Sequence, residues 1–260
     1  MRDENLPLTN PRTHDIVKVA HILIYTKRNI MMRRKIVAAL IVLLMLSFFA
    51  CSAFAASPQE YEPIGIKSYG VYPLIKDGTV RIFYAVKIEN TNKNLAVMYP
   101  HIEITVSAKD GSVIKVEDQV LSWIAADDSY WYADYFTYDY DGTIPDRVSF
   151  HVWAEDDNYV SPNGYDIVRS NELVISDAAR KGNGANVYYT GKITNNGQHD
   201  TMARVSVIYL KKGQDGAEKP IGGDYTFVEN LKAGETKAFE IQPSSGIDSY
   251  SNAAILAIQW

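Results

Sequence analysis

The stretch Val80-Arg81-Ile82-Phe83-Tyr84-Ala85-Val86-Lys87-Ile88 decides the fold. Successive side chains of an extended chain point to opposite faces, so Val80, Ile82, Tyr84, Val86 and Ile88 line one side of a strand. The same period of two recurs on both sides of it. Ile102, Ile104 and Val106 alternate with Glu103, Thr105 and Ser107, and Val148, Phe150, Val152 and Ala154 continue the pattern. Further along, Val187 to Thr194, Ala203 to Leu210, Thr226 to Val228, Lys237 to Ile241 and Ala254 to Trp260 read the same way. Asp110-Gly111, Asp141-Gly142, Asn196-Gly197, Asp215-Gly216 and Ala233-Gly234 supply residues that tolerate positive φ between these runs. No window after Ala56 carries a helical period over three turns. Short strands at this spacing predict an all-β protein of sandwiches or barrels, without crossover helices.

The pattern also repeats. Tyr84-Ala85-Val86-Lys87-Ile88-Glu89-Asn90 matches Tyr189-Thr190-Gly191-Lys192-Ile193-Thr194-Asn195, and polar turn residues follow both. Later in each copy comes an alternating strand and then an Asp-Gly turn, Asp110-Gly111 in one and Asp215-Gly216 in the other. The expectation is therefore two tandem immunoglobulin-like antiparallel β-sandwiches. The first spans 56–165 and the second 166–260, with Ser161-Pro162-Asn163-Gly164 breaking the pattern between them.

The first 55 residues read as leader. Met31-Met32-Arg33-Arg34-Lys35 precedes an apolar run from Ile36 to Phe49, and Ala53-Phe54-Ala55 follows. A basic head, a short apolar stretch and a small-x-small site make 31–55 a secretory signal peptide. Cys51 sits near the end of that apolar run and is a candidate lipidation site. Membrane attachment through Cys51, or through an uncleaved signal segment, is the alternative to release. Either way the expected setting is the cell envelope or the exterior.

Of the 26 Lys and Arg, eight precede Ala56, and of the 31 Asp and Glu, three do, which leaves 18 positive charges against 28 negative. A surplus of about ten negative charges repels phosphate backbones, so nucleic acid is not an expected partner. No cysteine follows Cys51, so neither disulfides nor cysteine-ligated zinc holds the fold.

Chemistry is sparse. His101, His151 and His199 lie in different predicted strands or turns, without a spacing that places two imidazoles on one metal. No nucleophile elbow, P-loop or dinucleotide fingerprint occurs. Asp139, Asp141 and Glu155-Asp156-Asp157 could offer carboxylate oxygens to Ca²⁺, but the twelve-residue loop pattern is missing. No catalytic residue, cofactor or metal ligand is expected.

The segment Asp127 to Asp141 is unusual, with Tyr130, Trp131, Tyr132, Tyr135, Tyr138 and Tyr140 set among acids. Such rings offer rigid contact area with a polar tip, so they form the candidate surface for a protein or glycan partner. The competing reading has alternate rings filling a sandwich core. A carbohydrate-binding module using Trp131 or Trp153 is the second functional reading, and a small secreted hydrolase the third.

Val187 to about Pro243 resembles the FxLYD family of small immunoglobulin-like domains in exported bacterial proteins. Thr194-Asn195-Asn196-Gly197, the strand Ala203 to Leu210, and Leu231-Lys232-Ala233-Gly234-Glu235-Thr236 followed by Phe239 carry the resemblance. Where the family has tyrosine followed by an acid, this chain has Tyr209-Leu210-Lys211-Lys212. The first half is a weaker copy, with Ile124-Ala125-Ala126-Asp127-Asp128-Ser129 in place of the glycine corner. The resemblance implies a fold and an exported setting, with no catalytic residues.

Overall fold

The computed structural model describes residues 60–183, 187–242, 247 and 249–260. The signal segment and Cys51 lie outside the described residues. Residues 61–260 form one compact unit.

The unit is built from strands. In its first half these are β1 (Gly65–Lys76), β2 (Thr79–Asn90), β3 (Ala96–Met98), β4 (His101–Ser107), β5 (Val113–Val120), β6 (Trp123–Ile124), β7 (Asp128–Asp139), β8 (Arg147–Trp153) and β9 (Tyr159–Val160). In the second half they are β10 (Leu173–Lys181), β11 (Tyr188–Asn195), β12 (Thr201–Lys212), β13 (Glu218–Leu231), β14 (Thr236–Ile241) and β15 (Asn252–Gln259). The described residues otherwise contain only two single-turn 3-10 segments. The all-β, immunoglobulin-like fold expected from the alternation is the fold found.

The halves share one plan. Sheet β1-β2-β7 faces sheet β5-β4-β8 in the first, and sheet β10-β11-β14 faces sheet β13-β12-β15 in the second. The first half adds a small sheet, β6-β3-β9. The repeated segments occupy β2 and β11, the central strands of matching sheets. Each ends in a buried asparagine. Asn90 donates to the carbonyls of Leu95 at 2.8 Å and Ala125 at 3.0 Å, and Asn195 to those of His199 at 2.8 Å and Leu231 at 3.2 Å. Each amide thus ties its own turn to the opposite corner of the sandwich. At that corner Gly234 has φ 76° and Asp127 φ 52°. The left-handed turn is kept where the first copy lacks glycine, because Asp tolerates that region.

Val80, Ile82, Tyr84, Val86 and Ile88 pack inward as their alternation requires, against Ile102, Ile104 and Val106. The opposite face of β2 is not solvated. Phe83 and Ala85 are fully buried, because sheet β1-β2-β7 also packs against sheet β13-β12-β15. Among the described residues four of the five sheets are therefore stacked, with the inner two shielded on both faces, which accounts for the near-continuous apolar runs of β2 and β12. Close approach relies on glycine. A Cβ on Gly223 would lie 2.3 Å from the Val207 carbonyl oxygen and 2.7 Å from Cβ of Ala133.

Candidate binding groove

The aromatic segment forms β7, an edge strand, and the pleat sends its rings to two different layers. Tyr130 and Tyr132 point into the first core and are 6% and 2% exposed. Burial pushes both phenols well above the ordinary tyrosine range. The Tyr132 hydroxyl donates to Gln119 Oε1 at 2.7 Å, and its ring stacks on Trp260. Tyr138 and Tyr140 pack partly buried against the same core. Tyr135 lies between the layers beside Phe83, with the Arg81 guanidinium 5.0 Å from its ring centre. Of the six rings, the alternation thus withdraws Tyr130 and Tyr132 into the core and leaves Trp131, Tyr135, Tyr138 and Tyr140 partly exposed. Trp131, with part of Tyr130 beside it, opens onto a cleft.

That cleft, of about 490 Å³, runs between Trp131 and Lys87 on one wall and Leu173, Ile175 and Ile255 to Ile258 on the other. A second cleft of about 650 Å³ shares Ile175 and Ile255 with it and continues past Ala179 and Ala253 to Arg180, Tyr189 and Tyr250. Together they make a trough along the outer side of β15. At its far end the Tyr189 and Tyr250 hydroxyls meet at 2.5 Å, and Arg180 Nε donates to Tyr250 Oη at 3.2 Å. Desolvation, then the Tyr250 hydrogen bond, pushes the Tyr189 phenol up.

Among the described residues β15 pairs only with β12, without a register shift; β10 packs alongside its other edge without pairing to it, and Gln259 at its end is tied to Asp166 and Val168. Its sequence, Asn-Ala-Ala-Ile-Leu-Ala-Ile-Gln, contains no charge and no proline. The other long edge strands are protected. β1 holds Lys67 and Pro73, β5 Lys115 and Glu117, β8 Arg147, β13 Lys219 and Pro220, and β14 Lys237 and Glu240. β10 carries a bulge between Ser176 and Ala179. On β7 the Ala133 carbonyl is capped by Arg204. Charges, prolines and bulges are the usual devices against unwanted strand pairing, and β15 has none of them.

The remaining candidates do not converge. His101 sits 3.1 Å from Asp118 and stacks on Trp153 with centroids 4.0 Å apart, while His199 lies 2.9 Å from Asp166 in the other half. His151 stands exposed on β8. Asp141 accepts from the Thr143 N–H, which holds its carboxyl below the ordinary range, and Asp156 accepts from Tyr61. Among the described residues no group of three or more His, Cys, Asp or Glu is placed to hold a metal.

Sequence reasoning named Trp131 and the strand Ala254 to Trp260 but missed Lys87, Arg180 and Leu256 as neighbours of one trough. The available signal was the run Ala253 to Ile258, an uncharged strand in an otherwise charge-punctuated chain. A search against protein-family models found no match, and neither did a search of curated proteins.

Proposed function

We propose that the protein is an exported, non-catalytic binding or assembly module of the bacterial cell envelope or exterior, which holds a partner in the trough beside β15. The unpaired, uncharged edge of β15, with open clefts beside it next to Trp131, carries this reading. A recessed apolar trough with an accessible indole and convergent polar groups at its ends is a usual form of binding site. The leader reading of 31–55 supports export, and the FxLYD resemblance points to the same setting. The separation of His101 and His199, each tied to one carboxylate, supports a role without catalysis. In the second reading a glycan is the partner. Trp131 favours it, whereas one face of Trp153 is already covered by His101.

Affinity capture from envelope extracts with the full-length chain tests the proposal. Leu256→Lys should lose the partner with an unchanged melting temperature, and Trp131→Ala, whose ring also packs against Ala85, Ala133 and Ile208, should lose it while melting somewhat earlier but remaining folded by circular dichroism. Undiminished capture by both would move the contact surface elsewhere, and a chain confined to the cytosol would remove the exported role. Retardation in a glycan-containing gel that Trp131→Ala abolishes would replace a protein partner with a sugar.

A further inference from the structure

We propose that the trough binds an extended segment of another polypeptide by strand addition to β15, the segment being an apolar alternating run with an acidic residue at each end. This rests on the trough being the contact surface and adds the chemistry of the partner.

The first reason is the main chain. A strand paired on one side presents alternate N–H and C=O groups on the other, and an extended peptide can satisfy them in register. Ala253 to Ile258 is also uncharged, rich in apolar residues and free of proline, which makes it a hazard for aggregation if nothing covers it. Leu256 is 37% exposed there.

The walls supply the second reason. Leu173, Ile175, Ile255, Ala257 and Trp131 offer apolar contacts on both sides of the edge, which suits side chains alternating between two faces.

The third is charge. Among the residues lining both clefts, the charged ones are Lys87 and Arg180, both positive, in a chain of net charge −5. Lys87 is half-buried with no ion pair among the described residues, whereas Lys93 and Lys192 are paired to Asp127 and Asp177. A cation partly withdrawn from water without a counter-ion is unfavourable, and an incoming carboxylate relieves it. Lys87 lines the cleft at the Ile258 end of β15 and Arg180 the cleft at the Asn252 end. Eight residues of strand extend about 26 Å at roughly 3.3 Å each, so the two acids belong about six to eight residues apart.

A second copy fits less well. Antiparallel pairing of two β15 strands about a two-fold axis would bring the Lys87 end of one copy to the Arg180 end of the other, and like charges set opposite each other are destabilising.

The test uses the full-length chain and a fluorescein-labelled peptide, Asp-Val-Thr-Val-Thr-Val-Thr-Asp. Anisotropy should show saturable binding that weakens at least tenfold when both Asp become Lys and vanishes when proline replaces the central Val. Lys87→Glu/Arg180→Glu, both at the rim, should invert the preference for acid over lysine ends. Hydrogen exchange should show those Ala253–Ile258 amides that do not bond to β12 gaining protection on peptide addition. Equal binding of both peptides, or no gain in protection, overturns the proposal. If the amides that do not bond to β12 are already protected without peptide, the proposal falls too, with sedimentation telling whether a second copy or the chain's own leader covers the edge. If no peptide binds but Trp131→Ala and Leu256→Lys still abolish envelope capture, the trough remains the contact surface and only strand addition fails. If neither variant affects capture, both readings fall.

Discussion

Arg204 is the largest side chain removed from water, 2% exposed, and it is caged by the rings of Tyr225, Tyr132 and Trp260 at 3.5, 4.2 and 4.9 Å from its carbon. Its Nη2 reaches Asp134 at 2.9 Å and the free edge of β7 at the Ala133 carbonyl. A buried pair of this kind adds little net stability over an apolar replacement, but removing one partner strands the other charge. Arg204→Met should therefore lose about 3–5 kcal/mol in urea unfolding, and Arg204→Met/Asp134→Leu should recover most of it. Four buried tyrosines set a limit at high pH. Desolvation raises the phenols of Tyr84, Tyr130, Tyr132 and Tyr209 above the ordinary 10. A pKa raised by folding gives stability that is complete below the unfolded value and lost as pH climbs toward the folded one. Stability should thus be insensitive to these groups between pH 7 and 9 and fall above about pH 10. Tyrosinate absorbance at 295 nm should rise together with loss of the near-ultraviolet dichroism; ionisation of the full complement without unfolding would show these rings to be accessible.

At the level of strands, the two buried asparagines do equivalent work in the two halves. Replacing Asn90 strands the buried Leu95 and Ala125 carbonyls and replacing Asn195 the buried Leu231 carbonyl, so Asn90→Ala and Asn195→Ala should each cost about 1–3 kcal/mol per stranded buried group. Chemical denaturation checks this, and a neutral result at either site would mean that water satisfies those carbonyls. These asparagines were visible in the sequence only as the last letters of a repeated segment; their role emerged once Ala125 and Leu231 were seen to come back across the corner. The strands themselves were legible because a core on one face leaves a period of two. The second burial of Phe83 and Ala85 was not, since an apolar residue at an outward position looks the same whether it meets water or another sheet. Tyr130 and Tyr132 were misplaced for a related reason, because sequence shows that rings alternate without showing which side is inside. The lack of charge on β15 could be read as composition, but its edge position depends on sheet order, which alternation does not encode.

The stack makes the two sandwiches one object. Phe83 of the first half belongs to the second core, and Ile258, with Trp260 packed behind it, belongs to the first. Neither core is complete alone, so the unit of residues 61–260 should unfold in one transition in spite of its duplicated plan. At about 0.7 kcal/mol per residue near 60 °C, 200 residues melting together give a calorimetric enthalpy of about 140 kcal/mol, and the van't Hoff value should equal it. Gly223 is the place to break this agreement. A methyl there meets the Val207 carbonyl and Ala133 at once, so Gly223→Ala forces β13 away from β7 without altering either β2 or β11, the central strands of the two outer pairings. The variant should melt earlier, with a van't Hoff enthalpy well below the calorimetric one as the halves come apart separately. Trimming the neighbour with Ala133→Gly should restore cooperativity, because the remaining contact, with the Val207 carbonyl, lies within sheet β13-β12-β15 and does not separate the halves. A single, undisplaced transition in Gly223→Ala would mean that the sheets are not held at contact distance, and the trough beside β15, whose two walls belong to different halves, would then lose its fixed shape.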